Sequence, residues 1–232
     1  MKKYIGFSLV LFLSSTFQAQ AVYLSPHMGV DWKYWGASLN NDLPRPLDHV
    51  FPDISSGMSF YLGTRINGFF GIDFGYDQSI SKEKSHVFNG NETFLKPTVE
   101  PLGNASTVDI RFKAFHLNSM FYWPVMKDVE ILGLLGISRL EPDVHMFYLT
   151  GGQRLEISQN AKTKYSARIG LGTQYNPWWF LGFRGMVIWD QTKRVNILGV
   201  DETSVPFDIS PYKSATSFHL GVVFTMADPR NV

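Results

Sequence analysis

From residue 164 to residue 190 the chain alternates with a period of two. Tyr165, Ala167, Ile169, Leu171, Thr173 and Tyr175 fall in one set; Lys164, Ser166, Arg168, Gly170, Gly172 and Gln174 fall in the other. After Asn176-Pro177 the alternation resumes. Trp179, Leu181, Phe183, Gly185, Val187 and Trp189 oppose Gly182, Arg184 and Asp190, beside Phe180, Met186 and Ile188. Successive side chains of a strand point to opposite faces, so this is a hairpin with one apolar face and one face of charges and glycines.

The apolar face ends in aromatics, Tyr165 and Trp189 at one end and Tyr175 and Trp179 at the other. A strand that crosses a bilayer shows this pattern, with aromatic girdles at the two interfaces. Six further segments repeat it. Met28, Val30, Trp32 and Tyr34 share a face in a strand over 22–35, against His27, Gly29, Asp31, Lys33 and Trp35. Met58, Phe60, Leu62 and Thr64 share one in 54–66, with Gly57, Ser59, Tyr61, Gly63 and Arg65 opposite. Phe70, Ile72, Phe74 and Tyr76 share one in 69–80, against Gly71, Asp73, Gly75 and Asp77. Asn67-Gly68 between these two suits the positive φ of a tight hairpin.

The strand over 107–123 changes phase. Val108, Ile110 and Phe112 are apolar in its first half, which turns Asp109, Arg111 and Lys113 inward. Phe115, Leu117, Phe121 and Trp123 are apolar in its second half. A β-bulge near Lys113-Ala114 would absorb the extra residue. Residues 129–140 give the next strand, with Leu132 and Leu134 on its inward side, and Met146 to Leu149 extend it above the membrane before a turn at Thr150-Gly151-Gly152. The last strand covers 214–226, with Phe218, Leu220, Val222 and Phe224 outward and Ser217, His219, Gly221 and Thr225 inward.

The 232 residues suffice for one barrel domain. The net charge of +1 makes no case for a nucleic-acid partner, and the absence of cysteine removes disulfides and thiolate metal sites. Met1-Lys2-Lys3, an apolar run to Phe17 and Ala19-Gln20-Ala21 form a secretory signal cleaved after Ala21. The expected layout is signal peptide 1–21, barrel 22–226 and a short tail 227–232.

Eight strands joined by alternating long and short connections, the long ones at 36–50, 81–106, 141–161 and 194–213, make an antiparallel up-and-down transmembrane β-barrel. Strands in lipid must close, since an open edge leaves backbone groups unpaired. The short turns are Asn67-Gly68, residues 124–128 and Asn176-Pro177. At this point the chain resembles the eight-stranded outer-membrane barrels of the OmpA transmembrane-domain and opacity-protein type. The resemblance runs from Ala21-Val22-Tyr23-Leu24 to Phe218-His219-Leu220-Gly221-Val222-Val223-Phe224. It implies a bacterial outer-membrane location, with both termini in the periplasm and four external loops. One departure is that Phe224 is not terminal, so an assembly signal would be internal.

The inward set carries the candidate site. Glu130, Arg168, Arg184, Asp73, Arg65 and Arg111 form a lumen charge cluster, with Asp31, Lys33, Asp77, Lys113, Asp190 and His219 on the same side. Unpaired buried charge is costly, and a lumen of eight strands is filled by side chains, so these groups pair into a plug. Glu130 is expected to meet Arg184 or Arg168, and Asp73 to meet Arg65. The resemblance implies an internal ion-pair cluster of this kind. Trp32, Tyr34, Tyr76, Trp123, Tyr175, Trp179 and Trp189 form the aromatic girdles.

A second site is the second external loop, with Lys82, Glu83, Lys84, His86, Glu92 and Lys96. A catalytic reading fails on geometry: His116 and Ser119 differ in parity, and Ser217 and His219 share a face without an acid beside them. The six histidines are scattered, so neither metal nor cofactor is expected. The expected function is a non-enzymatic outer-membrane surface protein that serves envelope integrity or adhesion. Its partners would be outer-membrane lipid, lipopolysaccharide and a host or matrix ligand at the loops, and the protein would be a monomer. The alternatives are a narrow porin-like channel and a lipid A-modifying enzyme.

Overall fold

A computed structural model describes residues 22–40, 47–95, 99–192, 195–200 and 206–228. Twelve strands and one short helix, α1 (Leu47–Val50), make up the described fold. In chain order the strands are β1 (Leu24–Leu39), β2 (Ile54–Ile66), β3 (Phe70–Ser79), β4 (Lys82–Val87), β5 (Ala105–Met126) and β6 (Val129–Thr150). They continue as β7 (Gln153–Ala161), β8 (Lys164–Trp178), β9 (Leu181–Thr192), β10 (Ile197–Val200), β11 (Pro206–Ile209) and β12 (Tyr212–Thr225).

Eight of them close a ring in the order β1, β2, β3, β5, β6, β8, β9, β12, all antiparallel. The seam joins first strand to last, with Val30 opposite Val222 and Tyr34 opposite Phe218. Closure pairs every spanning strand on both sides, which a bilayer demands. The other four strands stand above the ring on β5 and β6, in the order β11, β10, β7, β6, β5, β4. The segments expected as long loops are thus partly sheet: β4 lies within 81–106, β7 within 141–161, and β10 and β11 within 194–213.

The turn at Asn67-Gly68 has φ of +48° and +78°, the left-handed conformation that this pair tolerates. The β8–β9 turn is displaced from its expected place. Tyr175 pairs with Phe183 and Trp178 with Leu181, so the chain reverses at Trp179-Phe180, and Asn176-Pro177 forms an irregularity in β8. Proline lacks the amide that a ladder needs, and a bulge accommodates it. The β5–β6 turn contracts to Lys127-Asp128.

The expected bulge at Lys113-Ala114 does not form. β5 keeps one register against β6 from Ala105 to Pro124, and one against β3 from Lys113 to Phe121. Val108, Ile110 and Phe112 therefore point inward, and Asp109, Arg111 and Lys113 outward, the reverse of expectation. Length supplies the reason. β5 and β6 have 22 residues each, roughly 70 Å at about 3.3 Å per residue. Even with a tilt of about 45°, that exceeds the ~30 Å hydrocarbon layer. Their upper halves stand in water, where apolar side chains face in and charges face out.

The barrel consequently has two storeys. In the lower one Phe74, Leu171, Phe183, Phe218 and Leu220 are exposed on the outer wall, and the interior is largely polar. In the upper one Phe51, Phe88, Ile110, Met146, Ile197 and Tyr212 pack into a core to which β1, α1, β5, β6, β7, β10, β11 and β12 contribute. Tyr212 donates its hydroxyl to Pro52 O at 2.8 Å, and burial pushes that hydroxyl above the usual phenol range. The expected leader 1–21 lies outside the described residues, as do 229–232 of the expected tail. Residues 226–228 fold back on the lower rim, where Met226 N donates to Pro26 O and Tyr23 donates its hydroxyl to Asp228 O.

Candidate functional site

Inward positions of the eight ring strands project into the lower lumen and meet in three layers. Lowest, Arg65 of β2 grips Glu130 of β6 with two hydrogen bonds, 2.6 and 3.0 Å. Its Nε donates to Gly68 O, and its guanidinium lies 4.2 Å over the Tyr122 ring. Asn176 also donates to Glu130, at 3.1 Å. In the middle layer Arg184 of β9 donates to Asp31 of β1 at 2.5 Å, lies 3.6 Å from Asp73 of β3 and stacks 3.7 Å over Tyr61. His27 meets the other oxygen of Asp73 at 2.8 Å. In the upper layer Asp77 collects Lys33 at 2.7 Å, Arg168 at 3.3 Å and His116 at 3.1 Å, and Arg168 also reaches Asp190 at 3.0 Å.

Four cations thus face five carboxylates, most of them buried. Both expected pairings are exchanged. Glu130 meets Arg65, not Arg184 or Arg168, and Asp73 meets Arg184 and His27, not Arg65. Depth along one strand does not fix partners across the lumen, because inward side chains meet residues of strands that share no ladder with them. Arg111 is outside the cluster altogether: it points away from the axis in the upper storey.

Inward glycines make room for these ions. A Cβ on Gly221 would stand 2.1 Å from Asp31 Oδ1 and 2.2 Å from Val30 O; one on Gly63 would stand 2.3 Å from Asp73 Oδ1. Gly221→Val is expected to lower barrel stability by about 2 kcal/mol, in the range of core overpacking. Urea titration of the refolded barrel measures it, and a variant as stable as the parent would contradict the close approach.

Part of the remaining lumen wall is apolar. Met120, Tyr122, Leu132, Leu134, Met186 and Ile188 pack together on β5, β6 and β9. Two small cavities flank the ion lattice. A lower one of about 80 Å³ touches His27, Arg65, Glu130 and Arg184; an upper one of about 40 Å³ has Trp35, Phe112 and Leu140 above Lys33, Asp77 and Asp190. Each has room for a few waters at the ~10–15 Å³ of such volume that one water requires.

At Ser217 and His219 the geometry is closer to a catalytic one than expected, since the neighbouring strand β1 supplies an inward acid. Ser217 Oγ lies 2.9 Å from His219 Nε2, and His219 Nδ1 lies 3.6 Å from Asp31. The serine is 1% exposed, borders neither lumen cavity, and also lies 3.4 Å from Ile188 O. A nucleophile there has no space for a substrate. His116 is buried in the lumen and Ser119 is on the other face of β5. Among the described residues no group of three His, Asp or Glu could hold a metal ion.

The aromatic residues occupy both rims. Trp32, Tyr34, Tyr76 and Trp189 lie toward the upper storey, and Trp123, Tyr175 and Trp179 beside the lower turns; all but the half-buried Tyr76 are exposed. Exposed Trp178 joins the lower set, hidden in the sequence by the misplaced turn. Asn118, Gln174 and Asn176 also belong to the lumen network, and a period of two would have placed the first two there. Of the second-loop residues, Lys82, Glu83, Lys84 and His86 lie in β4, and Lys96 lies outside the described residues. His86 hydrogen-bonds Glu92 at 3.0 Å, which holds that carboxyl below its usual range, and stacks on His49 with centroids 5.6 Å apart.

No family model matches the sequence, and no curated protein does. Solved structures do. The outer membrane protein OprG from Pseudomonas aeruginosa superposes with a TM-score of 0.57 at 9% identity, over 87% of this chain and 95% of that one. A major outer membrane protein from Thermus thermophilus gives 0.51 at 11% identity, over 89% and 100%. The outer membrane protein AlkL, solved in DMPC bilayers, gives 0.51 at 13% identity, over 90% and 93%. The chain has the fold of the eight-stranded outer-membrane β-barrels.

Proposed function

We propose that this chain is a non-conducting surface protein of the bacterial outer membrane. It anchors a rigid extramembrane storey with four outer connections and braces the lipid around it. The occupied lumen carries this reading. Arg65, Arg184, Arg168 and Lys33 lock five carboxylates across the bore, and the apolar core of the upper storey closes the way above them. An ion would have to break charge-assisted bonds and then cross a greasy cap. The lipid-covered outer wall supports a monomer, and the outer connections, as loops generally do, would carry contacts with a host or matrix ligand.

The two small cavities favour a second reading, a narrow channel in which the lattice opens transiently. Planar-bilayer recording separates the two. The purified barrel is expected to give no steady conductance above lipid background. Regular, ohmic openings proportional to the protein added would overturn the sealed reading and leave the channel.

A further inference from the structure

The lower lumen cavity carries polar groups that the ion lattice leaves unused. Tyr122 is 5% exposed and borders this cavity of about 80 Å³, and its hydroxyl has no hydrogen-bond partner among the described residues. Arg184, 8% exposed, borders it too, and its Nε is a buried donor without an acceptor. Gln174 donates its amide to Asn176 Oδ1 at 2.7 Å, which leaves its own Oε1 unmatched among the described residues. Unpaired polar groups are costly in a buried site, and these ask for an occupant with both donors and acceptors.

Charge narrows the occupant further. An anion would meet Glu130 and, behind Arg184, Asp31 and Asp73; a cation would meet Arg65, Arg184 and Lys127. Each inner charge is already answered, Arg65 by Glu130, Arg184 by the two aspartates, and His27 by Asp73. A neutral molecule enters at no such cost. The rest of the wall includes Pro124, Met126, Val223 and the Trp179 ring, apolar surface that water wets poorly and C–H groups cover well. Exposed Lys127 and Trp179 border the cavity beside the lower turns, so it is reached from that end. The volume equals about six waters, or a ligand part of about six heavy atoms.

We propose that this cavity binds the adjacent hydroxyls of a small neutral polyol, either a free triol or the terminal ring of a sugar chain. Its hydroxyls bond Tyr122, Arg184 Nε and Gln174 Oε1, and its C–H face lies on the apolar wall. On the outer-membrane reading above, this mouth faces the periplasm, and the site adds a contact beneath the membrane to those of the outer connections.

NMR of the arginine Nε–H groups in the folded, detergent-held protein tests this. The Arg184 signal is followed during titration with glycerol, methyl glucoside or sodium acetate. Glycerol is expected to give a saturable shift with a Kd of about 5 mM, as suits roughly six heavy atoms, and acetate none. Y122F weakens binding about fivefold to tenfold, the loss of one hydrogen bond. T225F fills the mouth and abolishes binding. Y61F removes a hydroxyl that is also unpartnered but does not border the cavity, and it keeps the parent's affinity. Heat-dependent gel mobility verifies that each variant is folded. Glucoside binding as tight as glycerol assigns a sugar terminus, and glycerol binding alone assigns a free triol. A shift that never saturates, acetate binding as tight as glycerol, or parent affinity in Y122F or T225F would overturn the site. None of these outcomes touches the sealed-barrel reading, which conductance decides.

Discussion

Arg184→Met is expected to destabilise the barrel by about 3–5 kcal/mol, the range for breaking a buried ion pair by removing one partner. Arg184 bridges Asp31 and Asp73, which are 0% and 1% exposed. Without the guanidinium, two carboxylates are left in the bore, with only His27 and His219 near enough to share their charge among the described residues. The loss comes from those stranded carboxylates and not from missing bulk, because methionine is long and apolar. The triple variant R184M/D31N/D73N is therefore expected to recover most of the stability. Urea unfolding of the refolded protein measures both. If R184M unfolds at the parent's midpoint, the lattice fills the lumen without holding it together.

Ile110→Asp is expected to dismantle the upper storey and leave the spanning ring intact. Ile110 is 1% exposed in a core with Phe51, Met146 and Tyr212. The substitution forfeits the transfer energy of a buried isoleucine and strands a carboxylate in apolar surroundings, a cost of about 4 kcal/mol or more. Limited proteolysis should cut the segments above the membrane within the time that leaves the parent whole. The protected fragment should still migrate as a folded barrel. Arg111→Ala, one position along the same strand, should stay close to the parent in this assay, since its side chain points into water. If Arg111→Ala were the damaging change and Ile110→Asp the mild one, β5 would have the phase that its sequence first suggested.

Stability of this protein is thus divided between two different interiors. The lower one is polar because its outer wall must be greasy, and it depends on pairing its ions. The upper one is apolar because its outer wall meets water, and it depends on ordinary core packing. Each interior is vulnerable to the substitution that the other would tolerate best.

Much of the lower storey was legible in the sequence. A period of two assigns each residue to one of two faces, and in lipid the apolar face must look outward. Met28, Phe60, Phe74, Phe183 and Phe218 are exposed accordingly, while Asp31, Asp73, Arg168 and Arg184 are buried. Asn67-Gly68 marked its turn because few residues accept φ of +48° and +78°. The ion-pair partners were not legible. Glu130 meets Arg65 across the bore, 65 positions away in sequence and on a strand with which β6 shares no ladder. Only ring closure brings them together.

By itself the sequence determined the alternation, the number of spanning strands and which residues share a face. It could not determine where along a strand the lipid ends. In β5 the apolar residues pass from Ile110 and Phe112 to Phe115 and Leu117, and a bulge or a change of surroundings produces the same pattern of letters. The tertiary structure decided for the surroundings: the register runs unbroken, and the solvent outside the wall changes from hydrocarbon to water. Alternation is a property of the strand, whereas inside and outside are properties of the medium on each side of it.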